Sequence, residues 1–141
     1  MIYEASRGSE ALNGAKARAL DELAVLAEEC ANPDWDAHGA LPLNPRALFL
    51  AEQLIAALPD GLEVPEVGAE PDGSISLDWM VSPTRVLSVS IGQSNRLAYA
   101  WLLGTDREHG VIGFDGAQVP GRLIQKILYI TDRTDAAVRA A

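Results

Sequence analysis

The sequence predicts an α+β domain: two N-terminal helices, a four- or five-stranded antiparallel meander and a C-terminal helix, arranged in two layers. Three observations carry that reading. Apolar residues recur at spacings of three and four as far as Leu58. Between Ile75 and Leu103 the period changes to alternation in three runs divided by short connections, and from Leu123 to Ile130 the helical spacing returns.

The first helix is expected from about Ser9 to Ala31, on the stripe Leu12, Ala15, Ala19, Leu23, Leu26 and Cys30. Ser9 suits its N-cap, and Asn32-Pro33 stops it, because the residue before a proline is pushed out of the helical region. Glu10 suits the helix start, whereas Glu28 and Glu29 oppose the dipole at its end. With Asp21 and Glu22 they form an acidic face, which reads either as solvated surface or as a contact for a partner.

The second helix has the clearest start. Asn44 is a good N-cap, and Pro45 fills the first helical position, where its missing N–H costs nothing. Leu48, Ala51, Leu54, Ile55 and Leu58 mark its buried side, and Leu58-Pro59-Asp60-Gly61 ends it.

In the meander, Ile75, Leu77, Trp79 and Val81 alternate with Ser74, Ser76, Asp78 and Met80. Leu87, Val89 and Ile91 alternate with Ser88 and Ser90, and Leu97, Tyr99, Trp101 and Leu103 with Ala98, Ala100 and Leu102. Ser82-Pro83-Thr84 and Gly92-Gln93-Ser94-Asn95 are connections of hairpin length. A fourth strand is expected at His109 to Phe114, after the turn Gly104-Thr105-Asp106. A weaker one falls at Leu62 to Val67, where Pro65 confines it to an edge. Pro71-Asp72-Gly73 supplies the turn that follows. One sheet face is apolar. The other carries Ser76, Asp78, Met80, Ser88, Ser90, Ala98 and Ala100, and spacing alone leaves open whether a helix covers it. The last helix is expected from about Val119 to Ile130, with Leu123, Ile124, Ile127 and Ile130 inward. A tail at about 131–141 either extends it or stays mobile.

A chain of 141 residues suits a single domain, 1–141, able to bury roughly two-thirds of its unfolded surface. Its net charge of −9, with a pI near 4.5, disfavours generic binding to nucleic-acid phosphates, which depends on Lys and Arg. Only Lys16 and Lys126 are lysines. The sign suits a basic protein partner, or mimicry of a polyanion, better. Cys30 is the only cysteine, so no intramolecular disulfide can form, and it reads as a small apolar helix residue. The first thirteen residues lack an apolar run of signal-peptide length, and no stretch approaches the roughly 20 apolar residues that span a bilayer. The expectation is a cytoplasmic protein that binds no membrane.

The segment from Asn32 to Pro45 is the densest in specific side chains, and loops between rigid elements are where function tends to sit. Asp34, Asp36 and His38 could form an acid/base cluster, or a cation site with His109 as a fourth ligand. No H-x-x-H, H-E-x-x-H or cysteine spacing supports a metal, and none is expected. A purely architectural reading has Trp35 anchoring the loop in the core and Asp34 or Asp36 bonding loop N–H groups. Gly39 then supplies a positive φ and Pro42 stiffens the approach to the second helix. Only His38 is left over. No G-x-S-x-G, G-x-G-x-x-G or phosphate-loop lysine occurs, so neither a nucleophile nor a cofactor is indicated. His109 and Asp115 lie roughly 20 Å apart on an extended strand and cannot share a site directly. His109 could instead meet the Trp35 loop at a sheet edge.

The Trp35-Asp36-x-x-Gly39-Ala40-x-Pro42 element resembles one found in a loose group of small uncharacterised bacterial proteins. As in that group, it precedes a Pro-started helix, a D-G-x-I-x-L-x-W strand (Asp72 to Trp79) and an S-V-S-x-G strand (Ser88 to Gly92). Leu97-Ala98-Tyr99-Ala100 and a closing Phe114-Asp115-Gly116 follow. The resemblance spans about Trp35 to Gly116 and implies no activity.

The reading these features favour is a non-enzymatic protein-binding module of the antitoxin, immunity or inhibitor type. Its binding residues are expected among Asp34, Trp35, Asp36 and His38 in the loop and Asp78, Ser88 and Ser90 on the sheet. Two alternatives stand beside it. One is a small enzyme or ligand or metal sensor built on Asp34, Asp36 and His38. The other is an acidic mimic of nucleic acid that blocks a nucleic-acid-binding protein. An edge strand beside Pro65 and an uncovered sheet face also leave a homodimer open.

Overall fold

The computed structural model describes residues 2–132, with side chains described from residue 14 onward. Among the described residues the elements run α1 (Ile2–Glu29), α2 (Pro45–Ala57), β1 (Glu66–Ala69), β2 (Ile75–Ser82), β3 (Arg85–Ile91), β4 (Arg96–Leu103), β5 (Asp106–Gly113) and α3 (Gly121–Thr131). The five strands pair antiparallel in chain order. The architecture is therefore α+β, with the helices in their expected places around an antiparallel meander.

The core follows from the two periodicities. Leu23 of α1, Leu50, Leu54 and Ile55 of α2, and Leu123, Ile127 and Ile130 of α3 are fully buried. They join one apolar cluster with Ile75, Leu77 and Trp79 of β2, Leu87, Val89 and Ile91 of β3, and Leu97 and Tyr99 of β4. Each large aliphatic so buried contributes about 1.5–3 kcal/mol. Asn44 caps α2 as its sequence suggests, its side chain accepting from the N–H groups of Arg46 (2.8 Å) and Ala47 (3.2 Å).

Four boundaries differ from the sequence expectation, each for a local reason. Helix α1 begins at Ile2, so Ser9 lies inside it rather than at its cap. The preceding residues include Glu4, Ala5 and Arg7, good helix formers, with no proline to stop propagation. Strand β1 starts after Pro65 instead of containing it, because proline has no N–H for the ladder. Strand β5 begins at Asp106: Leu103 pairs with Asp106, so Gly104-Thr105 alone form the hairpin. Helix α3 begins at Gly121, with the Pro120 carbonyl accepting from Leu123 and Ile124 (3.0 and 3.1 Å). Most of the tail at 131–141 lies outside the described residues.

Candidate functional site

The loop between α1 and α2 is held by its own carboxylates. Asp34 Oδ1 accepts from the Gly39 N–H (2.6 Å), while the Asp34 N–H donates to the Ala40 carbonyl (2.7 Å). Asp36 Oδ1 accepts from the N–H groups of His38 (2.8 Å) and Ala40 (3.0 Å). The His38 N–H, above all, holds the Asp36 carboxyl below its ordinary range, against the opposing effect of partial desolvation. These bonds stabilise a loop in which Asp34 and Ala37 both adopt φ 64° and Gly39 φ 83°. Asp tolerates that conformation, whereas Ala37 costs about 1–2 kcal/mol there. Trp35 is partly buried against the core, and its indole N–H donates to the Leu41 carbonyl (2.8 Å). The His38 side chain is exposed.

The loop docks against the β1–β2 turn. Leu41 N–H donates to Pro71 (2.8 Å) and Asn44 N–H to Gly73 (2.9 Å). Gly73 is required twice over: its φ is +90°, and a Cβ there would lie 2.9 Å from the Pro42 carbonyl oxygen. This fixes the loop at the β1–β2 side. His109 sits on β5, the opposite edge strand, so the structure does not bring it to Asp34, Asp36 and His38.

Asp78, Ser88 and Ser90 lie elsewhere, on the sheet face turned away from the core. Strand register arranges that face in three cross-strand rows. The first runs Glu66, Asp78, Ser88, Ala100, His109, from β1 to β5. The second runs Gly68, Ser76, Ser90, Ala98, Val111, and the third Met80, Val86, Leu102, Arg107 from β2 to β5. Every side chain in these rows is half-buried or exposed, and Met80 and Val111 are 63 % and 52 % exposed. Ser90 Oγ donates to Glu70 (2.6 Å). Val86, Ser88, Ala100, Leu102, Arg107 and His109 help line a shallow hollow of about 410 Å³. Glu66 and Asp78 therefore stand at the β1–β2 side and Arg107 and His109 on β5, with serines and alanines between them in the first two rows.

Several ionic residues that the sequence reading passed over are structural. Glu108, on the inward side of β5, accepts from Tyr99 Oη (2.6 Å) and Lys126 Nζ (2.9 Å), which hold its carboxyl below the ordinary range. Lys126 lies over the rings of Tyr99 and Trp101, 4.6 and 4.9 Å from their centroids. Arg85, only 7 % exposed, donates to the carbonyls of Ile130 (2.7 Å) and Tyr129 (2.6 Å) at the C-terminal end of α3. Its signal was available: Arg85 falls in phase with Leu87, Val89 and Ile91, an inward position. Cys30 is buried, and burial, aided by the Glu29 charge, pushes its thiol pKa up, away from reactivity.

Among the described residues no group of three or more His, Cys, Asp and Glu side chains is placed to hold a metal ion, and no helix is long and apolar enough to cross a membrane. No protein-family model, curated protein or solved structure matches the chain.

Proposed function

We propose that this chain is a non-enzymatic protein-binding module of the antitoxin, immunity or inhibitor type, acting in the cytoplasm through the outer face of its sheet. In this reading helices and sheet form two layers, and the outer face is the contact surface. The observation that supports it most is the character of that face. Serines and alanines floor its centre, while Met80 and Val111 stand exposed at its sides. A broad face whose hollow is shallow and mostly apolar suits another protein better than a small substrate, which needs a deeper site with convergent polar groups. The loop supports the same preference. The Asp34 and Asp36 carboxylates already accept backbone N–H bonds, which leaves the exposed His38 as the side chain best placed to meet a partner.

The test is capture from the host lysate by the tagged full chain, alongside Ser88→Arg and Asp78→Arg. A stoichiometric protein retained by the wild type and lost with both variants is expected. A protein retained equally by all three would contradict the outer face as the contact surface.

A further inference from the structure

We propose that the outer sheet face takes a second copy of this chain, packed face to face about a two-fold axis parallel to β3. The inference rests on the reading of that face as the contact surface and names its occupant. An axis along β3 reverses strand order in the facing sheet. β1 then lies over β5 of the other copy, β2 over β4, and β3 over itself.

Reversal lays each row against itself with no like charges facing each other; Arg107, in the third row, has no β1 residue opposite it. In the first, Glu66 faces His109 of the second copy, Asp78 faces Ala100, and Ser88 meets Ser88. In the second, the exposed Val111 stands over Gly68 and the Ser76 hydroxyl that lies close above it, and Ser76 faces Ala98. In the third, Met80 meets Leu102 and Val86 meets Val86. Small side chains along the axis let two sheets approach to about 10 Å, at the shallow angle of about 30° that twisted sheets adopt when aligned. This is the self-complementarity an isologous interface demands. A uniformly basic partner would instead meet Arg107 and His109 at one edge, and an acidic one Glu66 and Asp78 at the other. The side chains of Asp78, Arg107 and His109 have no hydrogen-bond or ion-pair partner among the described residues, so they are available to a facing surface. The net charge of −9 opposes association at long range. At physiological ionic strength remote charges are screened beyond about 8 Å, while facing pairs are not.

Sedimentation equilibrium of the full chain at physiological salt tests this, with Glu66→Arg, His109→Glu, their combination, and Ser88→Arg. The wild type is expected to be a dimer at micromolar concentration. Each single substitution should raise the dissociation constant by about tenfold or more, since Glu66→Arg removes the carboxylate facing the His109 imidazole and His109→Glu sets two carboxylates face to face. The combination should recover most of that loss, and Ser88→Arg, at the axis, should give a monomer. All these positions are half-buried or exposed, and an unchanged thermal transition verifies that the variants fold. A wild type that stays monomeric, or a dimer indifferent to these substitutions, overturns the inference. If a monomeric chain captures a host protein and Ser88→Arg abolishes that capture, the second copy is excluded but the contact surface stands. Capture that survives Ser88→Arg and Asp78→Arg would remove the contact surface as well.

Discussion

Arg85 and Lys16 do at α3 and α2 what neither helix does for itself. Both helices lack a basic residue in the last turn. Arg85 reaches the final carbonyls of α3 from a strand, and Lys16 of α1 donates to the Leu58 and Ala56 carbonyls at the end of α2. Cations suit that end of the helix dipole, and a buried hydrogen bond from a charged donor contributes about 1.5–3 kcal/mol. Replacing Arg85 with Met should therefore lower unfolding free energy by about 2–3 kcal/mol in urea denaturation. A change within experimental error would show that the carbonyls find other donors. Asp36 gives a pH-dependent counterpart. Its folded-state pKa is lowered, chiefly by the His38 N–H, so the unfolded chain binds the proton more readily. Its stabilising effect is thus complete above about pH 4, the ordinary Asp value, and fades as pH falls through the lower folded value. The Tm gap between the wild type and Asp36→Ala should be open at pH 7 and close toward pH 2. A gap that stays constant would mean that the carboxylate charge is irrelevant to the loop. The sequence suggested these carboxylates as turn-forming groups from their Asx chemistry. It could not pair Arg85 with α3, because that contact spans 44 and 45 residues and depends on how the helix crosses the sheet.

At the level of elements, β2, β3 and β4 were legible because nearly every inward residue is apolar, Arg85 at the start of β3 being the exception. β5 was partly hidden, since Asp106, Arg107 and Glu108 carry no apolar alternation. Its first half is fixed by pairing with β4 rather than by propensity. Gly110 shows how tight that pairing is. It lies opposite Tyr99, and a Cβ at this position would stand 2.8 Å from Tyr99 Oη and 2.9 Å from Cε1. Gly110→Ala must displace a ring that is 5 % exposed and fastened to Glu108, so a loss of about 1–3 kcal/mol is expected. Combining it with Tyr99→Leu should cost less than the sum of the two single changes, as neighbours sharing a contact do. Strict additivity would place the strain elsewhere.

For the molecule as a whole, composition and spacing limited the function classes without selecting a surface. Trp, Asp and His cluster in sequence in the loop between α1 and α2, yet its carboxylates serve the backbone. The outer face is dispersed over five strands, and its ordered rows appear only once register is known: a single residue's slip would turn every side chain to the other side. Seen together, those rows set Glu66 and Asp78 toward one edge and Arg107 and His109 on the other, with serines and alanines between, so that reversal lays Glu66 over His109. The most direct measurement is the molar mass of the full chain by sedimentation equilibrium, compared with Ser88→Arg and with His38→Ala in the loop. A dimeric wild type, a monomeric Ser88→Arg and an unaffected His38→Ala are expected. Loss of the dimer through His38→Ala with Ser88→Arg unchanged would contradict the account and move the contact surface to the loop.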